Sequence, residues 1–280
     1  MTTKIKYNFF TNKISYIQVG GRTKGYIVTS SIELISFLMR YHFHIKYVGA
    51  TSNLLFAFNY YDGYIVRYIN ANIEISNKNL LVGSSVSLKH LSSFCLDNGI
   101  DGFNRIKGIP GLVGGSIVNN SSCFNESISD NLISIKCIDK KGEIISLKKE
   151  SINFSYHKSS LKDICILEAI FEIKYKNIED SLIEQTHYEK LRKKLQPPSK
   201  NTLGSTFRRI ENIKLPFIME KLKIKTLGND DVHVSPIHSN FLVIKRKISY
   251  EKVLSLIEEI REILYYNISY EIELEIEVVN

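Results

Sequence analysis

The stretch Gly108–Asn120, GIPGLVGGSIVNN, constrains the fold more than any other part of the chain. It packs four glycines and a proline into eight residues, Gly108 to Gly115, between two apolar runs. Glycine lets a backbone pass where a Cβ would collide, at positive φ or against a ligand. Pro110 fixes φ and removes a donor that would otherwise need a partner. Two readings are open from these residues alone. One is a tight turn between strands. The other is a cradle of bare N–H groups for something anionic or flat, and diphosphate cofactors are the usual occupants.

Length and charge narrow the class. At 280 residues the chain can bury a sizeable core and split into two or three subdomains. The formal net charge of +8 suits anionic ligands such as nucleotides. The lysines are scattered, with no basic helix and no aromatic–basic signature, so no nucleic-acid partner is expected. Cys95, Cys123, Cys137 and Cys165 form no CxxC pair, and three of them sit in apolar surroundings. Free thiols in a reducing cytoplasm are the simplest expectation. MTTKIKYNFF lacks the apolar core of a signal peptide, and no uncharged run is long enough for a membrane span. His42 and His44 form an HxH with no third ligand nearby, so no metal site is expected. There is no nucleophile elbow and no Walker motif.

Periodicity supplies the elements. Residues 13–30 read as a strand pair around Val19-Gly20-Gly21. SSIELISFLMRYH reads as a helix capped by Ser30 or Ser31, and SLKHLSSFCLDNG as one ended by Gly99. IKY, LLF, YIVRYI, IEIS and LLVGSS read as strands. NLISIKCIDKKGEIISL reads as a hairpin turning at Lys141-Gly142, and CILEAIFEIKYK as an alternating strand. EDSLIEQTHYEKLRKKLQ is a charged helix with Asp180 and Ser181 near its start. Pro197 and Pro198 then mark entry into a last module. That module holds helix PFIMEKLK, strand FLVIK, helix YEKVLSLIEEIREILYY and a final strand YEIELEIEVV.

Seven motifs fall in one order: VGG, VGATSNLLF, GIPGLVGGSIVNN, FSYHKSSLKD, LGSTF, VSPIHSNFLV and LEIEV. In this order the chain resembles the UDP-N-acetylenolpyruvoylglucosamine reductase family of flavoenzymes, from about residue 12 onward, in the shorter type that lacks a tyrosine-bearing insertion. The resemblance implies an α+β fold: two FAD-binding subdomains like those of vanillyl-alcohol-oxidase-type (PCMH-like) flavoproteins, at 1–63 and 64–184, and a C-terminal α+β substrate-binding domain at 185–280. It implies noncovalent FAD, NADPH as reductant and a UDP-amino-sugar substrate, in a monomer of the bacterial cytoplasm that makes a peptidoglycan precursor. By motif position, FAD contacts fall to Gly49, Ala50, Thr51, Ser52, Asn53, Gly108, Ile109, Pro110, Gly114, Gly115 and Asn120.

Reducing an enolpyruvyl ether requires stabilisation of the developing anion and a proton donor. By resemblance Ser205 gives the proton and Glu277, the second carboxylate of LEIEV, is the catalytic glutamate. Read alone, Ser205 is a turn hydroxyl, and Glu277 one of four alternating outward glutamates with Glu271, Glu273 and Glu275. His157 stands where the family has an arginine that steadies the substrate carboxylate. The resemblance further implies that Tyr156, Arg208, Arg209 and His238 bind substrate. Other departures lie nearby: NSSCFN (Asn120–Asn125) replaces N-A-G-A-Y-G, Arg208-Arg209-Ile210 replaces lysine-asparagine-proline, and GATSN replaces a run of glycines. These changes leave two alternatives open. One is a paralogue acting on a related sugar nucleotide; the other is a non-catalytic sugar-nucleotide-binding relic.

Overall fold

The computed structural model describes residues 2–211 and 213–280. The chain divides into two compact units, each assembled from separated segments. One comprises the residues up to Phe9, Thr23–Ala50 and Asp62–Leu191; the other comprises Phe10–Arg22, Thr51–Tyr61 and Arg192–Asn280.

The first unit holds two large sheets and two short hairpins. A four-stranded sheet runs in the order Thr3–Phe10, Arg22–Thr29, Tyr60–Tyr68, Ile45–Tyr47. A five-stranded antiparallel sheet runs in the order Ile144–Lys148, Leu132–Ile138, Cys165–Glu172, Asn79–Gly83, Ile73–Ser76. Helix α1 (Ile32–Arg40) starts at Ser31, whose hydroxyl accepts the Leu34 N–H at 3.1 Å. Its Ile35 and Met39 pack with Ile138, Cys165 and Leu167, and its Leu38 with Ile27 and Val66, so α1 serves both sheets. Helices α2 (Leu88–Asp97) and α3 (Val113–Val118) bury Leu88, Leu91, Val113 and Ile117 against Leu80, Val82, Ile135 and Ala169 of the five-stranded sheet. Gly99 stops α2 with φ +64°. Helix α4 (Ile178–Leu195) is capped by Asn177, whose Oδ1 accepts the Glu179 and Asp180 amides at 2.8 and 3.2 Å. Asp180 and Ser181 therefore lie inside the first turn.

The second unit packs α5 (Leu215–Lys221) and α6 (Tyr250–Ile268) around two small sheets. Val232–Val234 pairs antiparallel with Leu242–Ile244, and Leu54–Phe56 pairs parallel with Glu277–Val279. α6 buries Val253, Ile257, Ile260 and Leu264 at helical spacing. They meet Leu215, Met219, Val232 and Leu242, together with Ile17, Val19 and Leu55 from the early segments.

Two expected strands change. Only Arg22–Thr29 is a strand within 13–30, and its neighbour is Thr3–Phe10, which is exposed along most of its length. Ile17 and Val19 are apolar because they enter the second core from a loop, not because they alternate in a sheet. The expected final strand shrinks to Glu277–Val279, plus one bridge at Leu274.

Candidate active site

The first unit assembles the glycine segment with its neighbours. The Val113 and Gly114 amides of the first turn of α3 donate to the Val86 and Ser84 carbonyls, each at 2.9 Å. A Cβ on Gly114 would stand 2.9 Å from the Ser84 Cβ, so packing alone demands glycine there. Gly115 differs. It is exposed, and no atom lies within 4 Å of where its Cβ would be. Its N–H, the third of the turn, has no assigned acceptor among the described residues. A backbone donor with open space beside it suits a flat or anionic group such as a dinucleotide. Gly49 joins the same place, because a Cβ there would touch the Leu112 side chain at 3.7 Å. Gly108, Ile109 and Pro110 are part-exposed.

The glycine segment is held at both ends. At its start, buried Glu126 accepts the Arg105 and Ile106 amides at 2.9 and 3.2 Å. Burial pushes the Glu126 carboxyl up to about 7, outweighing those amides and the nearby Arg105 charge. Arg105 also bonds Glu184 of α4 at 2.8 Å, and Lys107 bonds Gln185 and Glu189 at 2.6 and 2.7 Å. At the other end, Asn120 is buried at φ +43°. Its side chain donates to the Ser155 carbonyl at 2.8 Å and accepts from Ser129 at 2.7 Å.

The divergent stretch after Asn120 is a hairpin. Ser122–Cys123 pairs with Glu126–Ser127 around Phe124 and Asn125, both at positive φ (52° and 63°). His157 tips a second hairpin of Phe154–Ser155 and Lys158–Ser159, at φ 49°. Its Nε2 lies 2.8 Å from the Ser122 hydroxyl, and its ring stacks on Tyr156 at 4.1 Å. The Asn120–Ser155 bond therefore joins the glycine segment to the His157 hairpin.

The second unit gathers the hydroxyl and the carboxylates. Thr51 is buried at φ 59°; its hydroxyl accepts the Tyr16 amide at 2.9 Å and donates to the Ile14 carbonyl at 2.8 Å. Positive φ is rare for a β-branched residue, and these bonds hold it there. Asn53 accepts the Glu277 amide on its carbonyl at 2.9 Å and donates from Nδ2 to the Glu275 carbonyl at 3.2 Å. On the far side, the Glu275 amide donates to the Thr206 carbonyl at 2.8 Å, one residue past Ser205. Asn53, Ser205 and Glu277 thus stand on three hydrogen-bonded neighbouring segments. Ala50 and Ser52 lie in the same turn as Thr51, half-buried.

The four alternating glutamates are not equivalent. Glu271 and Glu273 are exposed and paired with Arg261 and Arg208, whereas Glu275 and Glu277 are half-buried. Arg208 meets Glu273 at 3.5 Å, and Arg209 is exposed. His238 is part-buried, and its Nδ1 accepts the Asn240 amide at 3.2 Å. Burial, with help from Lys225, lowers its basicity, so its neutral ring keeps a proton on Nε2. No group able to hold a metal occurs among the described residues. His44 instead meets the Asp62 carbonyl through Nδ1. Sequence reasoning missed Glu126 and Asn240, since a buried polar side chain looks like a surface one in a string of letters. Asn240 lies inside VSPIHSNFLV, where the histidine carries the sequence signal.

Residues 29–148 match the FAD binding domain family, and residues 196–279 match the C-terminal domain of UDP-N-acetylenolpyruvoylglucosamine reductase. An open glycine cradle with these matches defines the class: an FAD-dependent oxidoreductase of α+β fold. The UDP-N-acetylenolpyruvoylglucosamine reductase of Pelagibacter ubique is 33% identical over 277 residues, covering 93% of this chain and 90% of that protein. The enzyme of that name from Clostridium tetani is 28% identical over 285 residues, covering 98% and 92%. The crystal structure of the Thermus caldophilus enzyme superposes over 100% of both chains with a TM-score of 0.86 at 22% identity, so the fold is shared. The chain belongs to the UDP-N-acetylenolpyruvoylglucosamine reductase family.

Proposed function

We propose that this chain reduces the enolpyruvyl ether of UDP-N-acetylglucosamine to the lactyl ether, UDP-N-acetylmuramate, with electrons from NADPH. Bound FAD would supply the hydride chemistry that links NADPH to the vinyl carbon. Gly49 and Gly115 present backbone to the cofactor, with Gly108, Ile109, Pro110 and the Thr51–Asn53 turn contributing further contacts. Ser205 gives its hydroxyl proton to the carbon beside the carboxylate as the enediolate collapses. Glu277, two residues along the segment that hydrogen-bonds the serine segment, is the catalytic carboxyl. His157 offers a ring donor to the substrate carboxylate where the family uses a guanidinium fork, a weaker and only partly charged contact near neutrality. Tyr156, Arg208, Arg209 and His238 serve the rest of the sugar nucleotide.

The observation that carries this reading is the hydrogen-bonded adjacency of the Ser205 and Glu277 segments in a member of this family. No helix among the described residues is long and apolar enough to cross a membrane. We read the enzyme as a monomer acting in the bacterial cytoplasm, with cofactor-binding parts at 1–63 and 64–184 and a substrate part at 185–280. The test is anaerobic stopped-flow of the FAD-loaded protein at the flavin band. NADPH should bleach the band, and UDP-N-acetylglucosamine enolpyruvate should restore it with formation of the lactyl ether. Bleaching without recovery would defeat the substrate assignment.

A further inference from the structure

We propose that Asn240 is a positioning residue that sets the Ser205 hydroxyl for proton delivery, an inference that rests on Ser205 being the donor. Ser205 is bracketed by opposites. Before it stands Gly204, at φ +87° with nothing within 4 Å of a Cβ and its N–H donating to the Thr202 hydroxyl at 3.3 Å. After it, Thr206 and Phe207 are buried and fully bonded.

Asn240 supplies most of those bonds. It is 7% exposed, and its carboxamide faces the backbone of Phe207. Oδ1 accepts the Phe207 N–H and Nδ2 donates to the Phe207 carbonyl, both at 2.9 Å. Its own carbonyl accepts the Thr206 N–H at 2.8 Å. The side chain thus stands in for a peptide unit of a neighbouring strand. The Thr206 carbonyl takes the Glu275 N–H, and the Arg208 N–H goes to the Glu273 carbonyl, each at 2.8 Å. Every backbone donor from Thr206 to Arg208 is therefore paired, and one residue provides three of the bonds.

Asn240 is itself fixed. Its N–H donates to His238 Nδ1 at 3.2 Å. Ser235 closes the loop by donating its N–H to the Phe241 carbonyl at 2.8 Å, and its hydroxyl accepts the Ile237 and His238 amides at 3.2 and 3.4 Å. Ser239 donates its hydroxyl to the Pro216 carbonyl at 3.0 Å. Ser205 bridges to Phe241, the residue after Asn240, so the loop grips the serine segment directly. A hydroxyl must stand within hydrogen-bond reach of the atom it protonates. A displacement of about 1 Å can cost roughly a hundredfold in rate.

Asn240→Asp tests the clamp through its pH profile. A neutral carboxylic acid keeps both roles: its carbonyl oxygen accepts from Phe207 N–H and its O–H donates to the Phe207 carbonyl. A carboxylate has lost the donor. The FAD-loaded variant should be reduced by NADPH at the normal rate. Its reoxidation by the enolpyruvyl substrate should fall about a hundredfold at pH 8 and recover at least tenfold toward pH 5.5, a recovery absent from the unaltered enzyme. Ser205→Ala is run alongside. If it slows reoxidation while Asn240→Asp stays within twofold of normal at pH 8, or slows both half-reactions alike, the proposal is overturned. If Ser205→Ala leaves reoxidation intact, the donor assignment itself fails and Asn240 has nothing to position. Should Asn240→Asp not fold, hydrogen exchange of the unaltered protein decides. Thr206 and Phe207 amides exchanging as slowly as those of α6 support the clamp; exchange at exposed-loop rates overturns it.

Discussion

The glycine segment of the first unit and the serine segment of the second meet the same demand by opposite means. Under the proposed function, both place a few atoms accurately beside a ligand. Gly108–Gly115 does it by removing side chains, so that Gly115 offers backbone with open space beside it. Ser205–Phe207 does it by importing one side chain, Asn240, from a distant loop. The first solution is written locally and can be read from composition. The second is written across 33 positions and cannot. A glycine cluster is therefore far easier to read in a sequence than a side chain that steadies a segment 33 positions away.

The comparison can be broken most forcefully at Ser205. Alanine there should slow flavin reoxidation by roughly 10²–10⁴, the usual worth of a positioned proton donor, and leave reduction by NADPH within twofold. Equal losses in both half-reactions would show that the serine segment shapes the cofactor site rather than the proton transfer.

Glu126 sharpens the contrast, because one buried carboxyl anchors the start of the otherwise local glycine segment. Its folded value of about 7 lies above its ordinary value of 4.5. Between those values the folded form holds a proton that the unfolded chain has lost. Stability is therefore lost as pH rises from about 4.5 to 7, by an amount on the order of 3 kcal/mol, and is flat above. Glu126→Gln keeps an oxygen for both amides and removes that slope. Melting at pH 5 and pH 8 should show the unaltered protein losing about 5–10 °C more than the variant. Parallel pH responses would contradict the burial effect.

Paired alanines separate two glycines that look alike. Gly114→Ala must push the Ser84 Cβ away and should cost about 1–3 kcal/mol of apoprotein stability. Gly115→Ala should leave apoprotein melting unchanged, or raise it through a helix-propensity gain of up to about 1 kcal/mol, while weakening FAD binding at least about tenfold. Fluorescence titration with FAD reads the second effect, and identical behaviour of the pair would erase the distinction. The smallest effect is expected at His157. Arginine there should raise turnover about tenfold by restoring a charge-assisted bond of roughly 1.5 kcal/mol. Lower turnover would give the histidine, hydrogen-bonded to Ser122 and stacked on Tyr156, a task of its own.

Much of the fold was legible because local rules governed it. Ser31 caps α1, Gly99 ends α2 at positive φ, and Gly142 turns the hairpin at φ +79°. Legibility failed where tertiary packing reassigned a local pattern. Val19 and Ile17 serve a core instead of a strand. Asn177 caps α4 because its Oδ1 reaches two amides, while Ser181 is buried inside the turn. The glutamate alternation that suggested one outward face splits in two. Arginines hold Glu271 and Glu273 outside, and Glu275 and Glu277 are drawn in by bonds to Asn53 and Thr206. Within the site, glycines declare themselves through what they lack. Thr51 and Asn120 are marked only by their place in a motif, and Glu126 and Asn240 by nothing until their partners are placed.

The parallel pairing of Leu54–Phe56 with Glu277–Val279 has a consequence for synthesis on the ribosome. Asn53 and Glu275 hydrogen-bond across 222 positions. At about 5–20 residues per second, the early segment waits roughly 10–45 s for its partner to be translated. The first unit has all its segments by Leu191, whereas 10–22 and 51–61, though hydrogen-bonded to each other through Thr51, still lack the C-terminal partners of their own core. Ile17, Val19 and Leu55, buried in the finished core, go without that cover until the last third of the chain is made.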